Sequence, residues 1–191
     1  MSRRRLLQQA AAVGGAALAG QTVQGATAAG QSSRPTVAGR RFRGWVSRGT
    51  GAGRTTLQEL TLRPIAGRQV LVRTEATNLC YSNASDVLGL PGMFGGPMAQ
   101  MPLIQGHGGV GVVEAVGPDV RRVQVGDRVC VSGTPQCGNC YQCLRGRADM
   151  CQFLGRQGPK DLVPIADMGD GTAVYANSHI GGLAELMVTF E

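Results

Sequence analysis

The sequence predicts a mainly β domain, a small barrel or sandwich of short strands, and three observations carry that reading. Short segments rich in β-branched residues recur along the chain, Gly, Pro and Asp close them at the breaks, and long amphipathic helical periodicity is nearly absent. The length of 191 residues suits one domain of ordinary size with short appendages. Thirty glycines beside 4% aromatic and 16% charged residues fit a turn-rich folded domain better than a charged disordered chain.

The chain begins Ser2-Arg3-Arg4-Arg5-Leu6-Leu7-Gln8, continues with an apolar run of small residues from Ala10 to Gly20, and reaches a small-x-small cleavage site at Ala26-Thr27-Ala28. Residues 1–28 therefore read as a twin-arginine signal peptide and predict a periplasmic or extracellular protein. The apolar run is too short for a bilayer, which takes about 20 residues, so no stable membrane anchor is expected. Losing the segment's three arginines lowers the formal charge from +7 to +4. Lysine occurs only at Lys160, and the other arginines are scattered with no aromatic-interleaved basic stripe. That pattern argues against nucleic-acid binding.

Residues 29–41, rich in Gly, Ser, Ala and Arg, read as a flexible N-terminus, with order starting near Phe42 to Trp45 and no internal repeats beyond. Strands are expected over Gln69 to Thr74, Val110 to Val116 and Arg128 to Val131, with turns at Gly117-Pro118-Asp119 and Gly126-Asp127. Cys130, between Val129 and Val131, reads as a core strand residue. His179 has no partner visible in the sequence.

Cys137, Cys140, Cys143 and Cys151 follow the spacing C-x2-C-x2-C-x7-C, with Gly138 and Gly146 able to turn the backbone around a centre. Four thiolates match a closed tetrahedral zinc site with no open position for substrate, so the ion staples a lobe over residues 137–151. Two other readings compete. Export favours disulfides, although the twin-arginine route carries proteins already folded, which lets a metal be loaded in the reducing cytoplasm. An iron–sulfur centre is the other, but bacterial ferredoxin runs continue C-x3-C-P, whereas here seven residues intervene and Gln152 follows Cys151.

Upstream, Asn78-Leu79-Cys80-Tyr81-Ser82 offers a thiol with a hydroxyl two residues on, and Gly106-His107-Gly108-Gly109-Val110-Gly111 offers an imidazole among glycines. One thiolate and one imidazole can share a zinc, although singly each residue type is more often a core residue than a ligand. His107 is followed by Val112-Val113-Glu114-Ala115-Val116-Gly117-Pro118-Asp119-Val120 and by Val125-Gly126-Asp127-Arg128-Val129. With the four-cysteine lobe, this order of motifs over residues 42–191 resembles the zinc-dependent medium-chain alcohol dehydrogenase family, in its N-terminal GroES-like domain. Gly181-Gly182-Leu183-Ala184-Glu185-Leu186-Met187-Val188 looks like that domain's closing strand.

The resemblance implies a GroES-like partly open β-barrel with a zinc lobe and few short helices. It implies Cys80 and His107 as ligands of a second, catalytic zinc, Ser82 as the hydroxyl that relays the substrate proton, and a small alcohol or aldehyde substrate. In the family a further zinc ligand and the NAD(P)-binding Rossmann domain lie downstream. No cofactor-binding residues are therefore expected in this chain, which alone is expected to be inactive unless a Rossmann-domain half joins it from a separate chain. The letters Gly106-x-Gly108-x-x-Gly111 fit a dinucleotide fingerprint, but no helix can follow before Gly117-Pro118.

Three positions depart from the family pattern: Gly108 replaces an acidic residue, Asn83 an aspartate and Ser85 a common relay histidine. Carboxylates behind a zinc-bound imidazole orient it and raise its basicity, and losing them costs about 10–100-fold in affinity or activity. The second site is accordingly expected to be weak, with Asp86 a substitute only after a backbone shift. Against the oxidoreductase stand a catalytically inactive exported zinc module and a disulfide-stapled exported domain. A tightly held cofactor would be needed outside the cytoplasm, where no free nicotinamide pool is expected.

Overall fold

Alternation of apolar and polar residues builds the first hairpin. The computed structural model describes residues 37–49, 51, 53–88, 101–134, 136–152 and 163–191; residues 1–28, most of 29–41, Lys160 and the Asp86 side chain lie outside them. In β1 (Arg41–Ser47) Phe42 and Val46 turn inward while Arg41, Arg43 and Trp45 face out, the period of two that a half-buried strand requires. β2 (Thr55–Leu62) pairs with it antiparallel from Arg41↔Thr61 to Ser47↔Thr55, and Leu60 and Leu62 join Phe42 inside.

Three short strands complete a closed barrel in the order β1-β2-β7-β8-β4. They are β4 (Leu103–Ile104), β7 (Ala166–Met168) and β8 (Ala173–Ala176), with β4 and β8 parallel and the other pairings antiparallel. A four-stranded antiparallel sheet in the order β6-β5-β3-β9 uses β3 (Gln69–Thr77), β5 (Gly109–Val116), β6 (Arg128–Val131) and β9 (Leu186–Phe190). Among the described residues helix is limited to α1 (Tyr81–Leu88), α2 (Tyr141–Leu144) and two single 3₁₀ turns, Ala148–Met150 and Asn177–His179. None is long and apolar enough to cross a membrane.

The second sheet lies between two cores, which explains the unbroken apolar run Val70-Leu71-Val72 in its inner strand β3. Leu71 enters the barrel core with Phe42, Val46 and Ile104; Val70 and Val72 enter a second core with Val113, Ile180 and Met187. A bulge in β5 sets this up: Leu71 pairs with Ala115 and Val72 with Val113, so Glu114 is the extra residue. Without it Ala115 and Val113 would share one face; with it they serve opposite cores.

The expected strands are found and extended: Gln69 to Thr74 runs on to Thr77, Val110 to Val116 begins at Gly109, and Arg128 to Val131 holds its bounds. The closing strand is shorter than expected, because Gly181 to Glu185 forms a connection and pairing with β3 starts at Leu186. Cys130 needs a correction. It lies on β6 as expected, yet it is exposed, since β6 is an edge strand whose inward face carries Val129 and Val131. His179 is partnered through its ring, set edge-on to Phe190 at 5.7 Å and 79°.

Candidate metal centres

The loop after β6 winds the four cysteines around one point. Their sulfurs all lie within 4.8 Å of one another, with Cys137, Cys140 and Cys151 buried and Cys143 partly so. The Cys137 and Cys143 sulfurs are 3.9 Å apart. A tetrahedral zinc with Zn–S near 2.3 Å requires sulfurs about 3.8 Å apart, so this donor set fits that ion. No disulfide links the six cysteines, all of which lie among the described residues.

Backbone N–H groups point at the sulfurs. Cys140 N donates to Cys137 Sγ at 3.3 Å and Cys137 N to Cys151 Sγ at 3.4 Å. The Gln152 and Cys143 N–H groups lower the Cys140 thiol, whereas burial pushes Cys143 up to about 11 against the Gly138 N–H. The shifts oppose because N–H donors dominate at Cys140 and burial at Cys143, whereas a divalent cation would favour every thiolate. Gly138 makes the first knuckle possible, at φ +75, a left-handed conformation that an L side chain strains to adopt.

The second group assembles from the start of α1 and the loop at His107, 25 residues apart in sequence. Ser82 Oγ lies 3.0 Å from His107 Nε2. The Cys80 thiol meets the same pair: the Ser82 hydroxyl and N–H, then the His107 ring, lower it to about 7. Such a thiol supplies thiolate near neutral pH, the form that binds metal. The structure thus brings Cys80, Ser82 and His107 together, with one sulfur and one imidazole nitrogen beside a common hydroxyl.

Cys80 immediately precedes α1, whose first turn closes on it through Asn83 N and Ala84 N to Cys80 O at 3.0 and 3.2 Å. The His107 loop is clamped from two sides. Thr77 Oγ1 donates to Gly108 O at 2.8 Å, while Gly182 N and Leu183 N donate to Gly106 O and Gln105 O at 3.0 and 2.9 Å. Gly106 has φ +94, and a Cβ there would lie 2.8 Å from Leu183 N, so only glycine suits both the turn and the close approach.

The residues that support this group are amides, not carboxylates. Asn83 is buried and its Nδ2 donates to Gln105 Oε1 at 3.3 Å; Asn177 Nδ2 donates to the same oxygen at 2.8 Å. Asn83 Oδ1 and the buried Ser85 Oγ have no hydrogen-bond partner. At Gly108 the space a side chain would enter is held by Asn78 Oδ1, 3.2 Å from the Cβ position. Gln105, Thr77 and Asn177 carry no motif of their own, so sequence reasoning missed them. The glycine triplet at 106, 108 and 111 runs into β5 with no helix behind it, as its rejection as a fingerprint required.

Comparison with known proteins follows the same lines. The family model for the alcohol dehydrogenase GroES-like domain matches residues 66–191. S-(hydroxymethyl)glutathione dehydrogenase of Komagataella pastoris is 33% identical over 120 residues, covering 63% of this chain and 29% of that protein. Alcohol dehydrogenase 6 of Peromyscus maniculatus is 35% identical over 103 residues, covering 54% and 26%. Among solved structures, an alcohol dehydrogenase zinc-binding domain protein from Burkholderia ambifaria superposes with a TM-score of 0.64 at 27% identity over 80% of this chain and 40% of its own. Benzyl alcohol dehydrogenase from Acinetobacter calcoaceticus gives 0.59 at 29% identity over 79% and 39%. The chain therefore spans less than a third of the length of these curated relatives.

Proposed function

Because this chain belongs to the alcohol dehydrogenase GroES-like domain family, we propose that it forms the zinc-binding N-terminal part of an oxidoreductase. That enzyme would convert an alcohol to an aldehyde or ketone with hydride transfer to NAD(P). The convergence of Cys80, Ser82 and His107 carries this reading, since a purely structural domain has no use for a lowered thiol, a hydroxyl and an imidazole on one partly open point.

Cys137, Cys140, Cys143 and Cys151 hold a structural zinc in this reading, and Cys80 and His107 supply two ligands of a second. Zinc at the second site supplies Lewis-acid polarisation of an alcohol oxygen. The chain's own part is to place the ligands and handle the proton. Ser82 Oγ lies beside His107, 3.0 Å from Nε2, and can accept a proton from a substrate hydroxyl as its own hydroxyl proton passes to water. The nicotinamide-binding half comes from residues outside these 191, on the same or a separate polypeptide, and without it no turnover is expected. The signal pattern in residues 1–28 supports export by the twin-arginine route to the periplasm or beyond.

A second reading, an exported zinc module without catalysis, is favoured by the neutral support at the second site: Asn83, whose amide turns to Gln105, and Gly108. Metal analysis of the purified chain, with thiol titration under denaturation, separates these readings. About one zinc per chain is expected to survive dialysis, held by the lobe, with a second bound only from zinc-containing buffer and lost in Cys80→Ser. Retention of two zincs after dialysis would overturn the weak second site. Absence of zinc, with cysteines titrating as disulfides, would overturn the metal reading altogether.

A further inference from the structure

The four-cysteine lobe meets the rest of the domain at its first knuckle, Cys137-Gly138, and two arginines from outside the lobe converge there. Arg68, in the turn ahead of β3, donates from both Nη atoms to the Cys137 carbonyl at 3.1 Å each. It also pairs with the Glu191 carboxylate at 3.3 Å. Arg122, between β5 and β6, lays its guanidinium along Gly138. Its Nη1, Cζ and Nη2 lie 3.2, 3.8 and 3.9 Å from the point a Cβ on Gly138 would occupy. The missing side chain is what lets a cation approach the knuckle so closely.

We propose that Arg68 and Arg122 form a cationic clamp that sets how tightly the lobe retains its metal ion. The inference rests on the reading of the lobe as a zinc tetrathiolate. Four thiolates around a divalent cation leave a net double negative charge, which is costly to bury unless countercharge and hydrogen bonds compensate it. Two guanidiniums at Cys137 and Gly138 provide that countercharge from outside the lobe. Within the lobe, Arg145 is already engaged by Tyr141, its guanidinium 5.0 Å from the ring centroid. The Glu191 carboxylate pairs directly with the Arg68 guanidinium, while at Arg122 it accepts from the backbone N–H and leaves the guanidinium against Gly138. Arg68 adds the mechanical tie, holding the Cys137 carbonyl to the turn that starts β3.

Zinc release from the full chain to a colorimetric chelator tests the clamp, measured in a Cys80→Ser background so that only the lobe ion is counted. Arg122 is exposed, so Arg122→Gln keeps the fold. It is expected to release zinc about threefold to tenfold faster at low ionic strength, at or below the roughly tenfold lower bound for outer partners of a metal site because Arg122 is exposed. The difference should shrink below about twofold in 1 M salt, where the screening length is about 3 Å. Arg122→Lys should stay within about twofold of the parent because the charge survives. Arg68→Gln, which also strips the Cys137 carbonyl of its donors, should release faster at both salt concentrations. If the parent holds one zinc and Arg122→Gln releases it at the parent rate, the clamp is overturned while the zinc reading stands. Equal acceleration at both salt concentrations would also overturn it, because the loss would then be one of packing. A parent that holds no zinc overturns both.

Discussion

Gln105→Met tests whether the buried amide bridge holds the two loops of the second site together. Methionine nearly matches glutamine in volume and shape, so the change removes one acceptor without opening a cavity or crowding the core. Two donors lose their partner: Asn83 Nδ2, bonded at 3.3 Å, and Asn177 Nδ2, at 2.8 Å. Asn83 is 1% exposed and cannot turn to water, so its stranded donor costs about 1–3 kcal/mol. Asn177 is half-buried and can recover solvent, so only the net worth of a hydrogen bond, about 1 kcal/mol, is lost there. The expected destabilisation is about 2–4 kcal/mol, read as a lower urea midpoint at unchanged slope in saturating zinc. Zinc affinity of the Cys80/His107 site should fall about tenfold in parallel, because Gln105 is two residues from His107 and Asn83 three from Cys80. A stability change under about 0.5 kcal/mol, with second-site zinc binding intact, would refute the bridge.

Two further outcomes follow from single positions. Gly106→Ala should lower the stability by more than about 1 kcal/mol, because φ +94 strains an L side chain and the Cβ would press on Leu183 N at 2.8 Å; thermal melting reads this, and a melting temperature equal to the parent's would contradict it. Burial lowers the His179 pKa in the folded state, so the unfolded chain binds the proton first. The stability is then fully present above about pH 6.5 and falls as the pH drops from there toward the folded-state value. His179→Asn, which tolerates the φ of +58 at this position, should flatten that part of the stability–pH curve. An unchanged slope would assign the dependence to other groups.

The inner strands were legible because Val70-Leu71-Val72 and Val110 to Val116 are apolar beyond what one buried face needs, bounded by turn residues. Strands β4, β7 and β8 were not, because two to four residues carry too little periodicity and are held by the barrel's closure rather than by their own pattern. Cys130 misled for a related reason: a β-branched neighbourhood marks a strand but not whether that strand ends up at the edge of its sheet.

The amino-acid sequence by itself determined the four-cysteine cluster, because all four thiols and the glycine that turns them lie within one short segment, where spacing dictates geometry. It also marked Cys80, Ser82 and His107, but as separate signals. Only the tertiary structure decided that these three meet, since the pairing of β3 with β5 brings the ends of two loops together over long sequence separation. The tertiary structure alone also decided what surrounds them. Gln105, Thr77, Gly182, Arg68 at Cys137 and Arg122 at Gly138 act through distances that no local pattern encodes, because a residue's partner far along the chain depends on register, bulges and closure.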